Sequence, residues 1–104
     1  MKILLIESNL ILASRVKTSL SGYEVRVGKD WQGEDVVFVN VEANPPEIIR
    51  ELKEKGAKRV IAYCGHKNIG LIKKAQELGA DLVVPNSKVV DAKSLLWENT
   101  EGER

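Results

Sequence analysis

Several polar side chains come directly after runs of aliphatic residues, at positions where buried strands would end. They are Glu7, Ser8, Asn40, Cys64, His66, Asn86 and Ser87. The carboxyl ends of parallel strands meet at one edge of a sheet, and ligands of open α/β sheets bind beyond that edge. Two interpretations stay open: these side chains cap helices and satisfy loop backbone, or they line a ligand site. The candidate ligand-binding residues are Glu7, Asn40, His66 and Ser87.

Cys64 and His66 are of the types that serve as nucleophile and base, and they stand two positions apart. The sequence offers no evident acid to orient the histidine, and a cysteine at the end of a buried strand is commonly a small hydrophobic residue. His66 and Glu7 together supply fewer ligands than a metal site needs. We therefore predict no catalytic residue, no metal site and no cofactor.

Aliphatic runs alternate with amphipathic segments along the chain, which predicts a parallel sheet covered by helices on both faces. The predicted strands are residues 3–6, 23–27, 36–41, 59–63 and 81–84. A helix is expected after each strand except the second, and the last helix carries Val89, Ala92, Leu95 and Leu96. Residues 28–34 are polar, contain two glycines and are too few for a crossover helix, so we expect a compact turn or one helical turn there.

The length of 104 residues is enough for one hydrophobic core, and 43% hydrophobic with 30% charged residues is an ordinary globular balance. We assign residues 1–97 to one domain and predict that residues 98–104, which lack an apolar anchor, form a flexible tail. The formal net charge of +1 gives no general attraction to nucleic acid or to an anionic membrane. The abundance of Lys and Glu favours a heat-adapted source.

The single cysteine excludes an internal disulfide and favours a reducing compartment, so we expect a cytoplasmic protein. The amino-terminal apolar run is too short for a signal peptide or a membrane span. Trp31 lies in the polar loop of residues 28–34. It is either a lid over the core or an interaction hot spot, and the sequence does not decide between them.

Three segments resemble landmarks of response-regulator receiver domains. They are residues 2–9 (KILLIESN), 60–65 (VIAYCG) and 79–85 (GADLVVP). The resemblance covers residues 1–97. It implies a three-layer α/β/α fold with a five-stranded parallel sheet of flavodoxin-like order 2-1-3-4-5, in which the helix between strands 2 and 3 is shortened or absent.

Receivers accept a phosphoryl group on an aspartate at the end of the third strand, with Mg²⁺ held by that aspartate and an acidic pair. A hydroxyl residue and a lysine hold the phosphoryl oxygens. Carried over by position, the acidic pair falls on Glu7 and Ser8 and the acceptor on Asn40. The hydroxyl residue falls on Cys64 and the lysine on Val84, and these five positions form the degenerate phosphorylation pocket. An amide is a poor nucleophile and a poor Mg²⁺ ligand. The resemblance therefore implies a pseudo-receiver without aspartate phosphorylation.

The leading hypothesis is a non-catalytic interaction or regulatory module that binds a protein partner or itself, for example as a homodimer. The resemblance places the association face on the helix before the fifth strand, on that strand and on the last helix. That face includes Lys73, Gln76, Glu77, Val83 and Lys93. The alternative is a small-ligand or metal-binding α/β domain that uses Glu7, Ser8, Asn40 and Cys64. We expect no nucleic-acid or membrane partner.

Overall fold

Five strands and five helices make up the regular structure of residues 1–97, the part of the chain that the computed structural model describes. The strands are β1 (Lys2–Ile6), β2 (Glu24–Val27), β3 (Val36–Asn40), β4 (Arg59–Cys64) and β5 (Leu82–Pro85). The helices are α1 (Leu10–Ser19), α2 (Ile48–Lys55), α3 (Ile69–Glu77), α4 (Asn86–Val89) and α5 (Ala92–Leu95). The predicted flexible tail, residues 98–104, lies outside the described residues. None of the helices in residues 1–97 has the length and apolar character that a membrane crossing requires.

The strands form one parallel sheet in the order β2-β1-β3-β4-β5, which confirms the predicted fold class. Side chains alternate between the two faces along each strand. One set, which includes Leu5 and Phe38, packs against α1, α4 and α5, and we call this side the α1/α5 face. The other set, which includes Leu4 and Val37, packs against α2 and α3, and we call this side the α2/α3 face.

The ends of the helices follow from single residues. Asn9 precedes α1, and its Oδ1 accepts hydrogen bonds from the backbone N–H groups of Ile11 and Leu12, at 3.0 and 3.1 Å. Gly56 ends α2 with a φ of 115°, a conformation that side chains with a Cβ rarely adopt. The Asn9 side chain therefore caps α1.

The prediction of one continuous last helix is wrong, because the chain makes two separate helical turns, α4 and α5. Asp91 interrupts the helix with a φ of −103° and a ψ of 51°. Its backbone and side-chain oxygens both accept from the Ser94 hydroxyl, a local bond that competes with helical hydrogen bonding. Both turns still bury their apolar residues on the α1/α5 face.

The connection from β2 to β3 is a loop, and residues 28–35 contain no helix. The buried Glu34 carboxylate organises this loop, because it accepts from Arg26 Nε at 2.8 Å and from the Gln32 N–H at 2.7 Å. The Trp31 indole packs on the α2/α3 face, and its Nε1 donates to the Glu34 carbonyl oxygen at 2.9 Å. Trp31 is therefore a lid over the core, which decides between its two interpretations.

Acidification is expected to weaken this loop through Glu34. Burial alone would raise the pKa of Glu34, but hydrogen bonds from Gln32 and Arg26 and the charge of Arg26 outweigh burial and lower the pKa below its ordinary 4.5. A lowered folded-state pKa stabilises the protein above the unfolded-state pKa, and this stabilisation is lost as pH falls through the folded value.

We expect Glu34→Gln to lower the free energy of unfolding by about 1 kcal/mol at neutral pH. The difference should shrink below pH 4.5. Denaturant unfolding of both proteins across this range measures it, with Glu54→Gln, an exposed position on α2, as the control. A difference that does not change with pH would contradict the assigned role of Glu34.

Candidate functional site

Four side chains form a row across the carboxyl ends of the four strands β1, β3, β4 and β5. Asn40 pairs with Tyr63, and Tyr63 pairs with Val84. Glu7 follows β1 by one residue and lies beside Asn40, in continuation of the register of these two strands. All four are on the α1/α5 face, since they stand in phase with Leu5 and its neighbours there. The fold therefore places Glu7 beside Asn40 at the carboxyl edge of the sheet, with Val84 in the same row two strands away from Asn40.

Glu7 is the centre of this row and is only 6% exposed. Its Oε1 accepts from Asn40 Nδ2 at 2.9 Å and from the Tyr63 hydroxyl at 2.7 Å. Its Oε2 accepts from the Asn9 backbone N–H at 2.9 Å. A buried carboxylate is tolerated when such donors compensate its charge. The three donors lie on β3, on β4 and at the start of α1, so this carboxylate joins three elements.

Asn40 is equally engaged. Its Oδ1 accepts from the backbone N–H groups of Glu42 and Ala43, at 2.9 and 3.3 Å. Its carbonyl oxygen accepts from Asn44 Nδ2 at 2.9 Å. These bonds fold the segment after β3 back onto the strand end. Asn40 therefore uses both ends of its amide inside the protein, one on Glu7 and the other on the loop.

Tyr63 contributes the hydroxyl of this group, and the sequence reasoning missed it. It assigned the hydroxyl position to Cys64, one residue later, which the structure places among the core residues of the α2/α3 face. A shift of one residue along a strand moves a side chain to the other face of the sheet. The usable signal was the phase of β4, because Ile61 and Tyr63 alternate onto the face that carries Phe38 and Asn40.

Burial raises the pKa of Tyr63 strongly, and the hydrogen bond to the Glu7 carboxylate and its negative charge raise it further. The phenol therefore stays protonated and remains a donor wherever the protein is folded. We call the hydrogen-bonded set of Glu7, Asn40 and Tyr63 the Glu-Asn-Tyr cluster.

Cys64 is fully buried, and burial raises the pKa of its thiol, with a further rise from the negative charge of Glu42. Because the thiolate is the reactive form, such a cysteine is inert. We expect a thiol reagent such as Ellman's reagent to leave the native protein unmodified and to label one thiol after denaturation. Fast labelling of the native protein would contradict this burial.

The other candidate residues lie apart from the cluster or turn outward. Ser8, His66 and Ser87 are exposed, and none of them is a hydrogen-bond partner of Glu7 or Asn40 within residues 1–97. Val84 is 4% exposed and belongs to the apolar core beside Tyr63. At the position where the resemblance implies a lysine, the row therefore ends in a hydrocarbon side chain.

These residues do not fit the Mg²⁺ ion that the receiver resemblance implies. Mg²⁺ requires oxygen ligands in near-octahedral geometry. Both Glu7 oxygens and the Asn40 amide oxygen already accept hydrogen bonds from the protein. Within residues 1–97, moreover, no three His, Cys, Asp or Glu side chains are grouped so that they could hold a metal ion.

No protein-family model matches the chain, and no curated protein matches it in sequence. Solved structures do match. The receiver domain of TorR, the response regulator of the TMAO respiratory system, has 22% sequence identity and a TM-score of 0.74, with 92% of this chain and 96% of that chain covered. HP1043, an orphan response regulator of H. pylori, has 21% identity and a TM-score of 0.72, with 92% and 96% covered.

A response regulator from Burkholderia pseudomallei, solved with a phosphorylated aspartic acid, a calcium ion and citrate, has 18% identity and a TM-score of 0.76. The match covers 93% of this chain and 66% of the Burkholderia protein. These structural likenesses agree with the observed strand order β2-β1-β3-β4-β5. The chain therefore has the fold of response-regulator receiver domains.

Proposed function

We propose that this domain is a pseudo-receiver: a protein-interaction or regulatory module of the cytoplasm that does not accept a phosphoryl group at its strand-end site. The observation that carries the proposal is the position of Asn40, whose amide donates to Glu7 and accepts from the loop after β3. An amide nitrogen engaged in this way offers no lone pair to phosphorus, and the amide carries no charge for a cation.

The neighbours of Asn40 support the same proposal. The Tyr63 hydroxyl donates its proton to Glu7 Oε1 at 2.7 Å and has no second proton to donate to a phosphoryl oxygen. Val84 supplies no positive charge to balance an added phosphoryl group, and phosphoryl transfer depends on such stabilisation. The acceptor, one acid of the acidic pair and the cation are thus replaced, by Asn40, Ser8 and Val84. The acid that remains, Glu7, accepts hydrogen bonds from Asn40 and Tyr63.

The test is incubation with a small phosphodonor and Mg²⁺, followed by intact-mass spectrometry. We expect no gain of one phosphoryl mass under conditions in which an aspartate-bearing receiver domain, treated in parallel, is modified. A phosphoryl adduct that survives gel filtration, at any residue of this chain, would overturn the proposal.

The alternative, a small-ligand or metal-binding domain built on Glu7, Ser8, Asn40 and Cys64, has less support. The polar side-chain atoms of Glu7 and Asn40 are hydrogen-bonded to other groups of the protein. Cys64 lies on the opposite face of the sheet. A thermal-shift panel of Mg²⁺, nucleotides and phosphorylated metabolites tests this alternative, and we expect no shift from any of them.

The association face that the resemblance implies remains part of the proposal. Of its residues, Lys73, Gln76, Glu77 and Lys93 are exposed and Val83 is half-buried. Sedimentation equilibrium across a range of concentrations tests self-association. A Lys73→Glu variant that left a measured dimer unchanged would remove this face as its interface.

A further inference from the structure

The groove between α1 and the end of β2 is a cavity of about 430 Å³. It is lined by Leu10, Ala13, Ser14, Lys17, Thr18 and Val27. A second cavity of about 170 Å³ adjoins it at the strand ends and shares Val27 with it. We call the two together the α1/β2 groove. It lies beside the Glu-Asn-Tyr cluster and is distinct from the association face named above.

The groove exposes apolar side chains, and their burial by a bound partner would be favourable. Leu10 is 81% exposed and Val27 is 43% exposed. Helix α1 already buries Ala13 and Val16 against the sheet, so Leu10 is an apolar residue on its outer side. Exposed large apolar residues that share one groove mark an interaction site more often than scattered ones do.

Two lysines and one acid line the groove. Lys17 lines the first cavity and Lys29 the second, and neither side-chain ammonium group makes an ion pair or hydrogen bond within residues 1–97. Helix α1 has no acidic residue in its first turn. The only acid in the lining is Glu7, whose oxygens are turned to their three protein donors. An occupant that complements these lysines carries acidic groups.

We infer that the α1/β2 groove binds an acidic, apolar-centred segment of a protein partner, with its apolar side chain on Leu10 and Val27 and its carboxylates near Lys17 and Lys29. The inference rests on the proposed function, since it names the kind of partner that the interaction module takes. The volume of the first cavity suits one or two aliphatic or aromatic side chains, and the smaller cavity suits a polar group that follows them. Paired charges at the rim set the orientation of such a segment and its rate of association.

The probe for the test is a random peptide library displayed on phage and selected against the immobilised full-length protein. We expect the enriched peptides to share an apolar residue flanked by Asp or Glu. Their affinity, measured with synthetic peptides by fluorescence polarisation, should fall at least about tenfold for Leu10→Ser, as expected when a buried apolar anchor is lost. It should fall about threefold or more, with a weaker salt dependence, for Lys29→Glu.

Two exposed positions on or beside α3 supply matched controls. Ile69→Ser removes an aliphatic side chain that is 67% exposed, and Lys67→Glu reverses an exposed charge. Both variants should bind the peptides as the wild-type protein does. Thermal unfolding should show all four variants folded, because every altered side chain is solvent-exposed.

Absence of enrichment, or enriched peptides that bind Leu10→Ser as well as wild type, would overturn the inference. A concentration-dependent dimer that Leu10→Ser abolishes would assign the groove to a second copy of the chain and overturn the heterologous partner. Phosphoryl uptake in the mass assay would defeat the proposed function and leave these peptide results unchanged, so the two failures are distinguishable.

Discussion

Replacement of Tyr63 by phenylalanine is expected to lower the free energy of unfolding by about 2 kcal/mol, although it removes a single oxygen atom. The hydroxyl is fully buried, and it donates at 2.7 Å to the carboxylate of Glu7, which is 6% exposed. Hydrogen bonds to charged groups contribute about 1.5–3 kcal/mol, and a buried carboxylate that loses a donor is left less well compensated.

Chemical denaturation of both proteins at neutral pH measures this difference. Tyr23→Phe is the matched control, because Tyr23 packs at the edge of the same core and its hydroxyl has no hydrogen-bond partner within residues 1–97. The control should change stability by less than about 0.5 kcal/mol. Equal effects of the two substitutions would show that the Tyr63 hydroxyl does not stabilise Glu7.

A double-mutant cycle with Asn40→Ala extends this result to the whole cluster. Both Tyr63 and Asn40 donate to the same Glu7 oxygen, so their effects on unfolding should not add. A coupling of at least about 0.5 kcal/mol is expected for residues that share one hydrogen-bond network. Strict additivity would contradict the description of the cluster as one unit.

The fold could be predicted from the sequence because the signals for strands and helix ends are local and recur along the chain. Aliphatic runs such as residues 36–39 have one stable environment, a strand covered on both faces, and Asn9 and Gly56 mark helix ends by conformational preferences of their own. The short polar loop after β2 followed from length and composition alone. What keeps that loop in place, the pairing of Arg26 with Glu34, depends on two side chains meeting in space.

The candidate site was only partly predictable, because its residues are defined by which face of the sheet they occupy. Glu7 and Asn40 directly end their aliphatic runs, so their positions were clear. In β4 the apolar run has no such marker, and Tyr63 and Cys64 both follow it. The choice between them requires the pairing with β3, which only the folded sheet supplies.

The largest change in the site is expected from Asn40→Asp, which places an aspartate at the end of β3. The amide nitrogen that now donates to Glu7 at 2.9 Å would be replaced by a second carboxylate oxygen. Val84 offers no positive charge, so two carboxylates would face each other in a largely buried position. We expect the free energy of unfolding to fall by about 3 kcal/mol at neutral pH, as it does when a buried charge loses its partner.

The pH dependence of this loss has a definite sign. Like charges at this distance raise the apparent pKa of the carboxylate pair in the folded variant above the value in the unfolded chain. Protonation of one carboxyl removes the repulsion, so the difference from wild type should be largest above pH 6 and small below pH 4. Asn68→Asp, at an exposed position outside the cluster, is the control and should show no such dependence.

The response of the melting temperature to Mg²⁺ distinguishes the Asn40→Asp variant from the wild-type protein most clearly. A divalent cation between Glu7 and the new carboxylate would relieve the repulsion, so millimolar Mg²⁺ should raise the melting temperature of Asn40→Asp by several degrees at constant ionic strength. The wild-type protein should not respond, because its Glu7 and Asn40 oxygens already accept hydrogen bonds from the protein. If both proteins responded equally, the Glu-Asn-Tyr cluster would be open to cations, and Asn40 would not be the residue that closes it.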